Sequence, residues 1–382
     1  MQASPAASEI FLHNGNVPDS TFIVRQPALA NTLQLIAQHG AQEFYRGDLA
    51  RKLVDGVRAA GGIWSLHDLE QYQVQIREPL KTTYRGIEVI MPPPPTSGGV
   101  VITQVLAMLE DFDLTTLSDV DYIHMVVEAM RRAYRDRALY LGDPAFTDVP
   151  MKMLMSKSYA QDNFADFSRE HASSNDSLAP PVRKKGTDTT HFSVVDHQGN
   201  YVAATLSINY PFGSGFVEPA TGVLLNDEMD DFSTGLSNPN VWGLVGTEAN
   251  KIEPGKRMLS SMTPLFARDD ARTLIVGTPG GSRIISMLVL GLLEFSQGSQ
   301  AKQIVARKRF HHQYLPDEIQ FEQNALTIKE QSALTEKGHE LNELSRRYGN
   351  MHAIIWQHKQ NKIDAAADPR GEGLAIVKSQ SD

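Results

Sequence analysis

A pair of threonines at the entrance to a mid-chain β-hairpin is the feature that most constrains this chain. Thr187-Asp188-Thr189-Thr190-His191-Phe192-Ser193-Val194-Val195-Asp196 follows the polar approach Lys184-Lys185-Gly186. His191 to Asp196 is β-prone, His197-Gln198-Gly199-Asn200 is turn chemistry, and Tyr201 to Ser207 returns as a second strand. A threonine hydroxyl is a poor nucleophile at neutral pH. At the start of a chain its own α-amine can serve as the base. An internal threonine gains that amine only if the preceding peptide bond is cut. Threonine is also a common strand residue, so at this point a plain hairpin and a masked nucleophile both stand.

Composition narrows the class. The chain has 382 residues, 41% hydrophobic and 21% charged, long enough for a large core. A formal net charge of −9 argues against nucleic acid as a partner and offers no polybasic membrane patch. With no cysteine, disulfides, thiolate metal sites and cysteine nucleophiles are excluded. Met1 to Ser8 has neither the basic start nor the apolar core of a secretory signal. The strongest apolar run, Ile284 to Phe295, is far below the roughly 20 residues that span a bilayer, and it reads as a buried helix.

Along the chain, helices are expected over Pro27 to Gly40, with Leu29, Leu33 and Ile36 at helical spacing, and over Leu49 to Ala60, ending at Gly61-Gly62. Ser65 to Asp68 reads as a capping box. A hairpin around Arg85-Gly86 is followed by Pro92 to Pro95 and a helix from about Val100. Asp119 to Leu141 is the longest helical pattern, with Ile123, Val126, Val127, Met130, Ala133 and Tyr134 on one face. Arg131, Arg132, Arg135 and Arg137 are expected on its solvated flank. Met151 to Phe167 reads as one helix and Ser173 to Lys185 as an exposed linker. Asn238 to Ile252 is a long loop with buried apolar residues. Thr273 to Val276 is a strand feeding Gly277-Thr-Pro-Gly-Gly281, with a helix from about Ser282, and Ala353 to Trp356 is a further strand.

Other motifs are weak alone. Gly277 to Gly281 lacks the Gly-Lys-Ser/Thr ending of a phosphate loop. Glu228-Met-Asp-Asp231 matches no metal-loop spacing, and Ser260-Ser261 could be loop composition. His311-His312 has no third ligand in sequence reach and is taken as structural.

In order, however, the set is specific. Thr189-Thr-His-Phe-Ser-Val-Val-Asp is followed by Ser207-Ile-Asn209, Leu225-Asn-Asp-Glu-Met-Asp-Asp-Phe232, Arg257-Met-Leu-Ser-Ser-Met-Thr-Pro264 and Gly277-Thr-Pro-Gly-Gly-Ser-Arg283. Upstream lie Tyr84-Arg-Gly and Met91-Pro-Pro-Pro-Pro-Thr-Ser-Gly-Gly99. Downstream lie Arg309-Phe-His-His-Gln-Tyr-Leu-Pro-Asp317 and Asp368-Pro-Arg370. Over nearly its whole length the chain resembles the γ-glutamyltranspeptidase family.

The resemblance implies an α+β fold of the N-terminal-nucleophile hydrolase class, an αββα sandwich with two antiparallel sheets between helical layers. It implies autocatalytic cleavage before Thr189, and γ-glutamyl transfer from glutathione or a related compound to amino acids, peptides or water through an ester on Thr189. Residues 1–188 would be the mostly helical later part of the large-subunit region. Residues 189–382 would be the small subunit carrying the nucleophile, and the two halves would stay together as a heterodimer. By the same resemblance, Ser207 supports the nucleophile at a position where most relatives have threonine. Asn209, Glu228 and Asp231 hold the donor's α-amino group, Ser260 and Ser261 bond its α-carboxylate, and the amides of Gly280 and Gly281 stabilise the oxyanion. No cofactor and no metal are expected, the substrate is a small molecule, and relatives of this kind suggest a periplasmic or extracellular setting.

The chain departs from the pattern before the threonine, where relatives carry a longer segment. That segment includes an export signal and an arginine that grips the donor α-carboxylate. Arg370 matches a different family arginine. No residue here takes the gripping arginine's role by motif, so the chain reads as a fragment of a longer protein or a degenerate paralogue, and as given it is expected to be weakly active or inactive on glutathione-type donors. A cephalosporin or glutaryl acylase of the same superfamily and an uncleaved, inactive scaffold are the alternatives.

Overall fold

The computed structural model describes residues 2–174, 189–235, 239–240 and 243–378. Most of the expected Ser173 to Lys185 linker, and Asp188, lie outside the described residues, as do Asn238 and Trp242 in the long loop. Two compact units emerge from the packing: Met1–Ile76 with Ile208–Glu228, and Arg77–Ser207 with Met229–Asp382. These units are set by packing. The 1–188 and 189–382 halves are a division of the covalent chain, which belongs with the cleavage proposed below.

The first unit is helical: α1 (Pro5–Phe11), α2 (Pro27–His39), α3 (Ala41–Arg46), α4 (Asp48–Ala59) and α5 (Leu66–Gln71). Proline opens α1 and α2, where its missing N–H costs no helical bond. In α4, Leu49, Ala50, Leu53, Val54 and Val57 form the buried stripe of an amphipathic helix. The expected capping box opens α5: Asp68 accepts from Ser65 N (2.7 Å) and Ser65 Oγ (2.9 Å). In α2, Thr32 is the buried residue, its hydroxyl on Thr221 O at 2.7 Å, while Leu33 faces solvent.

The second unit is built on a six-stranded antiparallel sheet in the order β1 (Leu80–Tyr84), β2 (Ile87–Met91), β5 (Leu265–Arg268), β6 (Arg272–Gly277), β10 (His352–Gln357) and β11 (Lys362–Ala367). Strands β3 (Thr189–Val195) and β4 (Tyr201–Ser207) form a separate antiparallel hairpin that packs on β3's neighbours β6 and β10. Alternation along the strands separates the sheet's faces. Leu265, Ala267, Leu274, Val276, Ala353 and Ile355 join the helical core. Phe266 meets the Tyr201 ring at 4.8 Å, and Gly277 lies against His191. The hairpin's outer face, with Phe192, Val194, Val202 and Leu206, is exposed.

The helical layer comprises α6 (Gly98–Leu109), α7 (Asp119–Tyr140), α8 (Met151–Leu154), α9 (Lys157–Phe164), α10 (Arg283–Ser296), α11 (Ala301–Ala306) and α12 (Ile328–Glu336). The apolar run at Ile284 is the buried α10, as its composition required. A small sheet, β7 (Phe310–His311), β8 (Ile319–Glu322) and β9 (Leu341–Leu344), pairs β8 with β9 in parallel. Among the described residues, no helix is long and apolar enough to cross a membrane.

Two expectations are corrected. Met151 to Phe167 is two helices, because the chain turns at Met155 and Ser156 caps the second one. Three of the four arginines of α7 are not on a solvated flank: Arg131, Arg132 and Arg137 are each only 4% exposed, while Arg135 is partly exposed. Helices α6, α9 and α12 and strand β7 pack around α7, so its polar side must be neutralised inside the protein. Glu128 takes Arg131 at 3.1 Å and Arg132 at 2.7 Å, and Arg131 also pairs with Asp317. Burial works against ionising Glu128. Arg131, the hydrogen bond from Ser173 and Arg132 outweigh it and hold the carboxyl down at about 2.

Histidine burial makes stability depend on pH. His191 and His339 are both pushed down to about 3, by burial first and then by a neighbouring histidine, His352 for the former and His124 for the latter. An unfolded histidine titrates near about 6.5. With the folded values depressed, the unfolded state takes up the extra protons. Stability is therefore intact above pH 6.5 and falls as pH drops toward 3. Each histidine should remove up to about 2 kcal/mol between pH 6.5 and 5, a window above the Glu128 transition. Urea midpoints at pH 7 and pH 5 should show the loss, and His339→Asn should flatten it. An unchanged slope in that variant would disprove the assignment.

Candidate functional site

Register places the first two site residues. Thr189 and Ser207 are cross-strand partners at the open end of the β3–β4 hairpin, with Thr189 Oγ1 and Ser207 Oγ 3.2 Å apart. A slip of one residue would turn one of them to the opposite face. Below them His191 fixes the hairpin. Its ring nitrogens meet Thr205 Oγ1 at 2.8 Å and Ser193 Oγ at 3.0 Å, and its carbonyl meets His352 Nδ1 at 2.7 Å. Only glycine fits at 277, since a Cβ there would strike the His191 imidazole.

Strand β6 ends at Gly277 and enters the loop to Gly281. Gly280 has φ 147° and Gly281 φ 57°, backbone states that favour glycine, and a Cβ on Gly280 would lie 2.6 Å from Met287 Cε. The loop leads into α10. Among the described residues, neither the Gly280 nor the Gly281 amide N–H donates a hydrogen bond. Two free donors at the start of a fourteen-residue helix suit a developing negative charge.

The Ser260-Ser261 loop is held by the Pro-rich motif. Ser260 N donates to Pro95 O (2.8 Å), and Ser97 N and Oγ both donate to Ser260 O (2.8 Å each). A Cβ on Gly98 would collide with Thr263 Oγ1, so the glycine permits this close approach. Arg137 of α7 reaches the same place. Its Nε donates to Ser97 Oγ at 2.9 Å and its Nη2 to Ser261 Oγ at 3.3 Å. Burial depresses its pKa, while Tyr134 and then Asp231 oppose that shift, so Asp231 lies within electrostatic reach. The Asp231 backbone is tied by Asn250 Nδ2 on its carbonyl (2.7 Å), and its carboxylate meets Asn240 Nδ2 at 3.4 Å. Sequence reading missed Arg137 and Ser97. The Thr96-Ser97-Gly98-Gly99 run signalled the second; nothing marked the first among four similar arginines.

Asn209 and Glu228 fall in the smaller unit. Asn209 is buried at a positive φ of 69°, its Nδ2 on Asp227 O at 3.3 Å. The Glu228 N–H meets Asn226 Oδ1 at 3.0 Å at the start of the 3-10 turn Glu228–Asp231.

Other polar clusters hold structure. His311 bonds Ser286 Oγ (2.8 Å) and Gln313 Oε1 (2.7 Å); His312 bonds Asp317 (3.1 Å) and the Tyr314 N–H (3.2 Å). Arg370 is spent on Glu322, Asp368 and the carbonyls of Val305 and Arg307. His124, Glu128 and His339 lie close enough to suggest a metal centre. However, His124 Nδ1 and His339 Nε2 are 2.7 Å apart, a hydrogen bond and nearer than the about 3.3 Å between two ligands on a tetrahedral zinc ion. The Arg131 and Arg132 guanidiniums on Glu128 would also repel a cation.

Comparison with known proteins agrees with this layout. The sequence model described as Gamma-glutamyltranspeptidase matches residues 1–377. A "Glutathione hydrolase proenzyme" of Pseudomonas aeruginosa is 40% identical over 360 residues, covering 92% of this chain and 64% of its own length. That of Escherichia coli is 38% identical over 353 residues, covering 90% and 60%. An "Acylase ACY 1 proenzyme" of Pseudomonas sp. is 33% identical over 384 residues, covering 98% and 65%. The chain thus spans about three fifths of the length of these curated relatives. In structure it matches a cephalosporin acylase from Bacillus halodurans with a TM-score of 0.82 at 24% identity, covering 98% of this chain and 66% of the other. That likeness establishes the N-terminal-nucleophile hydrolase fold expected from the sequence, with the six-stranded sheet and the hairpin as its two antiparallel layers. On the match of its whole length, the chain belongs to the gamma-glutamyltranspeptidase family.

Proposed function

We propose that this chain is a γ-glutamyltransferase and glutathione hydrolase that matures by cutting itself before Thr189. The observation that carries the reading is the Thr189–Ser207 pair, two hydroxyls 3.2 Å apart at the open end of the hairpin. A Ser207 O–H donating to Thr189 Oγ1 would aim the nucleophile's lone pair. In maturation, Thr189 Oγ1 attacks the Asp188 carbonyl carbon. The Asp188–Thr189 C–N bond breaks, and the released α-amine takes the proton. Water then hydrolyses the ester, leaving Asp188 as a carboxylate and Thr189 with a free amine and hydroxyl.

In turnover, that amine accepts the Thr189 hydroxyl proton as Oγ1 attacks the donor's γ-carbonyl. The Gly280 and Gly281 amides face the oxyanion, a contribution on the order of 3 kcal/mol per donor. The leaving amine departs with the proton, and water or an amino acid takes the γ-glutamyl group from the ester. Asp231 meets the donor's ammonium and Ser260 and Ser261 its α-carboxylate. Asn209 and Glu228 keep the amine-binding roles that the family resemblance gives them. The cleaved halves, residues 1–188 and 189–382, remain associated as a heterodimer.

Terminal sequencing of purified, aged protein should find a second chain beginning Thr-Thr-His-Phe. Thr189→Ala should leave one band on a denaturing gel, and Thr189→Ser should cut slowly. A persistent single wild-type band would sink the reading and favour the uncleaved scaffold.

The acylase reading draws on the acylase relatives, and it separates on the donor's amine. With Asp231 as the proposed partner of the donor's ammonium, γ-glutamyl-p-nitroanilide should outrun glutaryl-p-nitroanilide by at least about tenfold, the worth of one charge-assisted bond. Asp231→Asn should lose most of that preference. Equal wild-type rates on both compounds would move the chain to the acylases.

A further inference from the structure

We propose that Arg137 is the positioning residue for the donor's α-carboxylate, acting through the hydroxyl of Ser261. The inference rests on the donor-binding reading above and names a cation for it from within this chain.

Arg137 is 4% exposed, and among the described residues no carboxylate lies within ion-pair distance of it. This distinguishes it from its neighbours on α7. Arg131 and Arg132 share Glu128, and Arg135 lies 3.7 Å from Asp136. A buried guanidinium without a carboxylate is costly. Of its five N–H donors, the described residues engage two, both on hydroxyl oxygens.

Those two bonds set the direction of two hydroxyls. Ser97 Oγ accepts from Arg137 Nε, and its own proton goes to Ser260 O. Ser261 Oγ accepts from Arg137 Nη2. Guanidinium is always a donor, so the Ser261 O–H must point away from it, free to donate to an anion. The charge behind that hydroxyl strengthens the bond. Through Ser97 the same arginine also fixes the Ser260 carbonyl, and with it the loop that carries both serines.

The sign pattern identifies the ligand class. Arg137 and Asp231 influence each other electrostatically but are not an ion pair. A positive seat and a negative seat set apart match the α-carboxylate and α-ammonium of an amino acid, and a dicarboxylate without the amine satisfies only one. The sequence expectation gave the carboxylate's cation to a family arginine that no motif of these 382 residues matches. Arg137 supplies positive charge to the same group from behind the serine pair.

The test compares γ-glutamyl-p-nitroanilide with 4-aminobutyryl-p-nitroanilide, which lacks only the α-carboxylate, on the self-cleaved chain. Arg137→Gln should raise KM for the first about tenfold with kcat within about twofold, and leave KM for the second unchanged. Arg137→Lys, which keeps the charge but not the fork, should recover part of the loss. Ser261→Ala should raise KM in the same donor-specific way, and combining it with Arg137→Gln should add little. Equal losses on both donors would show a merely structural arginine and overturn the proposal, as would an unchanged KM. If Arg137→Gln does not fold, Arg137→Lys and Ser261→Ala give the same comparison.

Should the wild type turn over neither donor, the functional reading fails on its own. Calorimetry with L-glutamate and 4-aminobutyrate then reads the seat directly. L-glutamate binding at least tenfold tighter, with the gap erased in Ser261→Ala and narrowed in Arg137→Lys, upholds the proposal. No gap, or no binding of either compound, overturns it.

Discussion

The register of one two-stranded hairpin governs the rest of the site. Thr189 and Ser207 face each other only because Val195 pairs with Tyr201 across the turn, and the register runs unbroken from there. Asp196 holds that turn, accepting from Gln198 N (2.8 Å) and Asn200 N (2.9 Å), with Gly199 at φ 84°. A two-stranded hairpin is marginal by itself. This one is stabilised by burying one face on β6 and β10, with the His191 ring wedged above Gly277. The contact that locks the hairpin is also the one that brings its threonine end toward the Gly277 to Gly281 loop. The proposed nucleophile and the proposed oxyanion donors thus flank one packing contact, that of His191 on Gly277.

Behind the sheet, the helical layer accepts a large electrostatic burden. Helix α7 buries Glu128, Asp136 and three arginines among apolar neighbours such as Val126, Ala129, Met130 and Ala133. Such groups stabilise little compared with apolar side chains of equal volume, and removing one partner leaves an unpaired buried charge. Their value is in fixing one arrangement. Arg132 alone ties Glu128, Asp166, Ser173 and the Asn163 carbonyl. Tyr134, on the same helix, hydrogen-bonds the Ser282 carbonyl at 2.6 Å, at the start of α10. Helix α7 therefore touches both the Ser260-Ser261 loop, through Arg137, and the helix that follows the glycine pair.

Much of this was legible in the sequence, for local reasons. Turn chemistry placed the β3–β4 and β1–β2 hairpins, periodicity gave α2, α4 and α7, the end of the proline run gave the start of α6, and an apolar run gave α10. The ordered motifs supplied the family and the candidate residues, which no periodicity could. The failures were of tertiary origin. Charged residues at helical spacing look alike whether they face water or other charges, so α7's arginines read as a flank. Ser156, a cap inside an otherwise helical pattern, was not seen to split Met151 to Phe167. The two compact units were hidden because the second segment of the smaller one, Ile208–Glu228, returns from far along the chain.

Arg137 shows why such a residue escapes sequence reading and why it is informative once found. Local rules and packing rules usually agree in a folded chain, and the places where they part tend to be functional. On α7, every described arginine except Arg137 has a carboxylate within 4 Å. A scaffold under selection for stability alone would pair this one too, or replace it with an apolar side chain. Its bonds go instead to two serine hydroxyls, one holding the Ser260 carbonyl and the other belonging to Ser261. An unpaired charge spent on orienting hydroxyls stabilises the folded chain little. It makes physical sense if the missing counter-charge arrives with the substrate.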